Sequence, residues 1–290
     1  FSFLAATLLF GPARVRKFGS DVTASVLWGS NIRFAADSPY NELDVIFRPL
    51  LHTWTLGLEM QAYVLFPLLL IAGFWVAAIL GKSRTFGMLA LTGFFLILSS
   101  VIGMFVDDKW VFFSPLTRLW EFTLGLTVAM AARENGFRGF PLSRTTSASI
   151  RFMAGLGLIS TFFSLDALED RPGLLTLIPA LLTAIFIASS HAPELNTSNR
   201  DNLFLYLGRA SYSIYLWHLP VIAFTSLGTF GTASWLLIIL QLAVSLIIGL
   251  LSYHLIEKQL RSNSEGFPWR ITISSLIIGS LGLVSFQANG

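Results

Sequence analysis

The sequence predicts an all-α protein: a polytopic transmembrane helix bundle of about eight full spans with a short helix stub at its N-terminus. Mean hydropathy is +0.70. Apolar residues make up 54% of the chain and charged residues only 12%, about half the charged share of a soluble domain. Apolar runs recur near 51–80, 86–106, 110–132, 150–166, 174–190, 203–226, 233–256 and 268–286. Each approaches the ~20 residues that cross a ~30 Å hydrocarbon core as a helix. Continuous runs of this length suit helices, which satisfy their own backbone groups in lipid, rather than the alternating strands of a barrel.

The elements follow in order. "FSFLAATLLF" runs straight into "GPARVRK". It is too short to span and lacks the basic start and cleavage site of a signal peptide, so it reads as the tail of a helix. The stretch 21–36 carries Asp21, Ser25, Ser30, Asn31 and Arg33 and is expected at the interface or folded back into the protein. The eight runs then alternate with short charged segments. Acidic residues dominate 37–50 (Asp37, Glu42 and Asp44 against Arg48) and 166–171 (Asp166, Glu169 and Asp170 against Arg171). Basic residues dominate 81–85 (Lys82, Arg84), 133–151 (Arg133, Arg138, Arg144 and Arg151 against Glu134) and 257–270 (Lys258, Arg261, Arg270). Short cytoplasmic loops retain Lys and Arg, so 37–50 and the C-terminus are expected outside.

The same distribution excludes whole classes. The net charge is +3, but the basic residues sit in loops rather than in a patch interleaved with aromatics, which argues against nucleic acid. With no cysteine, disulfides, thiolate metal sites and cysteine nucleophiles drop out. No G-x-S-x-G elbow, H-E-x-x-H zinc helix or Walker loop occurs. No metal is expected.

Three polar constellations interrupt the apolar runs. In "LLHTWTLGLEMQAYVLFPLLL", His52, Thr55, Glu59 and Tyr63 fall on one helical face. An ionisable residue at mid-membrane costs roughly 2.5–3.5 kcal/mol on insertion scales, so this face should meet protein or a wet cavity. The plainer reading is an interfacial His and Glu with Trp54 as a belt anchor. In "SPLTRLWEFTLG", Arg118 and Glu121 can pair at i, i+3, and Gly125 one turn on would let a neighbour approach; a self-neutralising structural pair is the alternative. In "GRASYSIYLWHLP", Ser211, Tyr215 and His218 share a face. The charge alternation places all three groups toward the outer leaflet. Together they could supply an acid or base, a carboxylate to orient it and a guanidinium for developing negative charge. Which histidine would serve, the spacing leaves open. His191 reads as a loop histidine and His254 as a partner for a helix C-terminus.

These stretches resemble the signature segments of the membrane acyltransferase-3 family: H-T-W-S-L-x-x-E-x-Q-F-Y, R-x-W-E-L-x-x-G, S-Y-x-x-Y-L-x-H-x-P-V and, for "YHLIEKQLR", Y-x-x-I-E-x-P-x-R. The four occur in the family's order. The resemblance implies a membrane-bound O-acyltransferase that moves an acyl group, usually acetyl, from cytoplasmic acetyl-CoA to a hydroxyl of a surface polysaccharide (lipopolysaccharide included) or a lipid-linked saccharide, in the bacterial inner membrane. Carried over by position, the catalytic candidates are Glu59, His52, Arg118, Glu121 and His218. The substrate-contacting candidates are Trp54, Tyr63, Trp120, Ser211 and Tyr215. Tyr212 and Glu257 also match; Met60, Ala62 and Gln259 depart from the pattern.

The resemblance further implies an acyltransferase domain over 1–262 that lacks the family's first helices, which carry an Arg, the usual candidate catalytic His and a basic acyl-CoA loop. The residues in hand would then not catalyse alone. An additional span in 263–290 with an outward C-terminus resembles members that continue into an extracytoplasmic esterase-like domain. A transporter or flippase for an ion or lipid-linked sugar is the alternative, although the matched helix interruptions of inverted repeats do not appear.

Overall fold

The computed structural model describes residues 2–37, 48–134, 142–164, 176–189, 203–228 and 234–262. In chain order the helices are α1 (Ser2–Leu9), α2 (Pro12–Val26), α3 (Ser30–Ala36), α4 (Thr53–Leu80), α5 (Arg84–Phe105) and α6 (Asp108–Phe113). After them come α7 (Leu119–Glu134), α8 (Arg144–Ser164), α9 (Leu177–Ala188), α10 (Leu203–Thr225), α11 (Trp235–Ser252) and α12 (Lys258–Ser262), with a π turn at Tyr253–Glu257. No strand occurs among the described residues, as the apolar runs require. By length and composition, Thr53–Leu80, Arg84–Phe105 and Trp235–Leu260 can each cross a membrane. Their outer faces are apolar and bare: Leu68, Ile71, Trp75 and Ile79 on α4 are each more than half exposed, a surface suited to lipid. The expected span at 268–286 and the loop with His191 lie outside the described residues.

The chain forms two compact units, Phe1–Leu58 with Ser198–Gly290 and Glu59–Thr197. In the first, Ala6, Phe10, Val15, Phe18 and Val22 of the α1–α2 segment make an apolar core, with Phe10 also against Phe224 (ring centroids 5.7 Å). The 21–36 stretch is not one helix. α2 ends where Trp28 takes φ 55°, and the Gly29 and Trp28 amides return to the carbonyls of Ala24 (2.8 Å) and Ser25 (3.3 Å). This is a Schellman closure with tryptophan in the left-handed position usually held by glycine. The chain turns back there, as the polar residues of 21–36 suggest. α10 and α11 meet at Gly249, where a Cβ would lie 2.6 Å from the Ile214 Cα. Only glycine admits that approach.

In the second unit α5 packs on α7, α8 on α9, and α7 on α9. α4 ends at Gly81 (φ 59°), with Lys82 N–H on the Ala77 carbonyl (2.9 Å), and Ser83 caps α5 through Phe86 N–H (3.1 Å). This tight turn folds α5 against α4 through small residues: a Cβ on Gly87 would collide with the Gly73 carbonyl and come within 2.8 Å of the Ala77 Cβ. Between α5 and α7 the contacts are hydroxyls, Thr92 to Thr127 (3.2 Å) and Ser99 to the Thr117 carbonyl (2.9 Å).

The single span expected at 110–132 is corrected to two helices, α6 and α7, parted at 114–118. Pro115 bars the helical region to Ser114, which is extended (φ −75°, ψ 134°). The Thr117 hydroxyl takes up the carbonyls of Val111 (2.5 Å) and Ser114 (2.9 Å). Gly125 has nothing within 4 Å of its would-be Cβ, so the close approach expected there does not occur.

Gly87→Val should lower stability by about 1–3 kcal/mol, because backbone atoms cannot yield to the added carbons. Gly93→Ala, at a position with nothing within 4 Å, should not. Thermal unfolding in detergent would distinguish the two variants.

Candidate active site

Residues 48–52 enter α4 through consecutive turns, Leu51 N–H on the Arg48 carbonyl (3.0 Å) and Thr53 N–H on that of Leu50 (2.9 Å). This places His52 just before the helix rather than within it. The first turn of α4 is then held from several sides within the first unit. The Ser25 and Thr53 hydroxyls lie 2.7 Å apart, and Ser30 donates to the Thr53 carbonyl (2.8 Å). Gly57 packs so tightly that a Cβ would sit 2.9 Å from the Asn31 Oδ1. From α10, the Tyr215 phenol donates to the His52 carbonyl (2.6 Å) and lies 2.5 Å from the Thr55 hydroxyl.

This clamp gathers three rings. His52 is 5.1 Å from Tyr215 and 5.1 Å from His218, and Tyr215 is 5.2 Å from His218 (centroid distances). His52 is buried, 7% exposed, and neither ring nitrogen has a hydrogen-bond partner. The carbonyls of Pro49 and Leu216 lie near the ring without meeting hydrogen-bond geometry. Leu216 is four residues before Pro220, whose missing N–H frees that carbonyl from the helix ladder. An unsatisfied buried polar group costs about 1–3 kcal/mol, and such exceptions call for an explanation in function or in an unseen partner. His218 has its Nδ1 2.5 Å from the Tyr215 carbonyl. A carbonyl only accepts, so Nδ1 bears a proton in this contact.

The second unit holds the other candidates. Tyr63, 51% exposed, donates to Glu59 one turn before it. Arg118 sits at the break before α7, its Nη1 3.1 Å from Glu121, its Nε donating to the Phe112 carbonyl (3.2 Å) and its guanidinium 5.0 Å from the Phe112 ring centre. The expected i, i+3 pair forms and is anchored by a third residue.

Two of the substrate-contacting candidates, Trp120 and Ser211, differ in their surroundings. Trp120 is 1% exposed, so in this structure its indole packs within protein rather than offering a face to a sugar. Ser211 is exposed and returns its hydroxyl to the Gly208 carbonyl of its own helix (2.8 Å). The buried serine of that segment is Ser213, which donates to Glu257 (2.5 Å). His254, expected to serve a helix end, instead bonds the Tyr206 phenol (2.7 Å).

Sequence reasoning also missed an ionic cluster in the first unit. Asp37 receives Arg33 (3.1 Å), Lys17 (3.5 Å) and Arg48, and Asp21 lies 3.7 Å from Arg33. The signal was Asp21 and Arg33 inside an otherwise apolar stretch. Among the described residues no group of three or more His, Asp or Glu side chains gathers as a metal site.

Tyr215→Phe keeps the ring but removes the bridge from α10 to α4. It should cost about 0.5–1.5 kcal/mol and speed amide hydrogen exchange over 53–57, measured by mass spectrometry. Ser211→Ala should leave that exchange unchanged.

Residues 2–254 match a family of acyltransferase domains. YrhL of Bacillus subtilis (strain 168), by its name a candidate peptidoglycan O-acetyltransferase, is 29% identical over 283 residues, covering 92% of this chain and 43% of its own. The O-acetyltransferase OatA of Staphylococcus aureus (strain NCTC 8325 / PS 47) is 26% identical over 278 residues, covering 91% of this chain and 44% of its own. The chain thus spans less than half the length of these relatives. No solved structure matches it significantly. With the ordered motifs, the helical membrane architecture and a match over nearly its whole length, the chain belongs to the acyltransferase-3 family of multi-pass membrane acyltransferases.

Proposed function

We propose that this chain is the membrane-embedded part of an O-acyltransferase that moves an acyl group, acetyl in the simplest case, from cytoplasmic acyl-CoA to a hydroxyl of a cell-surface glycan. The bacterial cytoplasmic membrane is where both meet. The relatives' names favour peptidoglycan as the acceptor; lipopolysaccharide or a lipid-linked saccharide would present the same hydroxyl chemistry.

The observation that carries the reading is the ring cluster: two imidazoles and a phenol in contact, with one imidazole buried and the other tied through Nδ1 to the Tyr215 carbonyl. In the proposed reaction the acceptor oxygen attacks the thioester carbonyl, the C–S bond breaks, and the hydroxyl proton ends on the CoA thiolate. His218 Nε2, the ring nitrogen not taken up by the Tyr215 carbonyl, is the atom to hold or pass that proton. Glu59, held by Tyr63, offers a carboxylate in the second unit. Arg118, held by Glu121 and Phe112, supplies positive charge for the oxyanion of the tetrahedral intermediate. Trp54 and Tyr63 offer faces for a sugar ring.

The test uses membrane vesicles carrying the full-length protein, labelled acetyl-CoA outside and a glycan acceptor inside, with base-labile label on the glycan as the readout. Transfer is expected, and His218→Gln or Glu59→Gln should slow it by roughly 10²–10⁴-fold, the scale of acid–base contributions. Unaltered rates for both variants would remove these residues from the chemistry. Accumulation of unmodified sugar without acyl-CoA would replace the reading with transport.

A further inference from the structure

The second unit carries an open groove of about 420 Å³ along α8, lined by Ala148, Arg151, Phe152, Gly155, Leu156, Ile159 and, from α9, Phe186. Its size falls in the ~300–1,000 Å³ range of small-molecule sites. Gly155 opens it: a Cβ there would already lie 3.9 Å from the Phe186 ring, so any longer side chain would fill the space. Phe152 (66%), Ile159 (57%) and Phe186 (40%) stay exposed along it. The lining has a single charged group, Arg151, at one end. Its Nε is buried without a hydrogen-bond partner, as is the Ser147 hydroxyl one turn earlier.

An open apolar groove with one guanidinium in its lining fits an amphiphile with an anionic head. The sequence places Arg151 on the basic side, near Arg133, Arg138 and Arg144, which is cytoplasmic by the positive-inside rule. From Arg151 to Ile159 the helix rises about 12 Å, within the ~15 Å depth of one leaflet. A protein partner would not require this match to leaflet depth. We propose that the groove binds an anionic phospholipid of the cytoplasmic leaflet, its phosphate on Arg151 and one acyl chain along Gly155 to Ile159. This is independent of the acyl-transfer reading, since no residue of the groove belongs to the candidate active site.

The test is lipid retention by the full-length protein. After equilibration with phosphatidylcholine vesicles containing phosphatidylglycerol, retained lipids are counted by native mass spectrometry, and melting is compared in the two lipids. One phosphatidylglycerol should be kept in preference to phosphatidylcholine and should raise the melting temperature. Arg151→Gln should abolish the preference about tenfold or more, while Arg151→Lys and Arg133→Gln keep it. Gly155→Leu should expel both lipids from the site; should that variant not fold, Phe186→Trp serves as the blocking change. The proposal is overturned if Arg151→Gln retains the preference, or if inorganic phosphate alone displaces the lipid, marking a headgroup site without a chain. It is also overturned if Gly155→Leu abolishes a dimer while lipid retention persists.

Discussion

The first turn of α4 is the constraint on which the candidate site depends. Its first backbone donors are met by the turns that precede it, Thr53, Trp54 and Thr55 N–H on the carbonyls of Leu50, Leu51 and His52, and neighbouring side chains then fix the turn in place. Here Ser25 and Ser30 meet Thr53, and Tyr215 meets Thr55 and the His52 carbonyl. Gly57 removes the side chain that would hold the helix away from Asn31. The imidazole of His52 takes its position from this clamp rather than from any hydrogen bond of its own.

A common economy governs the polar groups. His52 lies just before α4 and Arg118 just before α7, so neither lies in the middle of an unbroken span, where a charge costs most. Breaks make those places. Pro115 separates α6 from α7 and sets Arg118 at the gap, Trp28 and Gly29 turn α2 into α3, and Pro220 interrupts the ladder of α10 beside His218. Irregular backbone is tolerated at membrane depth where protein satisfies it, and Thr117 does so at the gap by bonding to the Val111 and Ser114 carbonyls. Elsewhere the helices associate through glycine, alanine and hydroxyls, as lipid-embedded bundles do.

For a transferase this arrangement has a chemical use. His218 has one nitrogen committed to a carbonyl, Glu59 is held by a phenol, and Arg118 is braced by a carboxylate, a carbonyl and a ring. Groups fixed in advance need little reorganisation when charge develops. The match to a family of acyltransferase domains and the local geometry are separate observations: the first gives the family, the second the partners that hold each of these side chains.

The helical membrane class and the pairing of Arg118 with Glu121 were legible in the sequence, because hydropathy over ~20 residues and i, i+3 spacing are local properties. The motifs also singled out His52, Tyr215 and His218. What only tertiary structure decided is which neighbour each side chain meets. Spacing put Ser211 on the face of His218, yet Ser213 is the buried partner, because Glu257 arrives from the turn after α11. It gave Trp120 no more claim to burial than Trp54, and packing enclosed it. The contact of two imidazoles, one from the turn before α4 and one from α10, depends on how remote segments meet, and no local pattern carries that information.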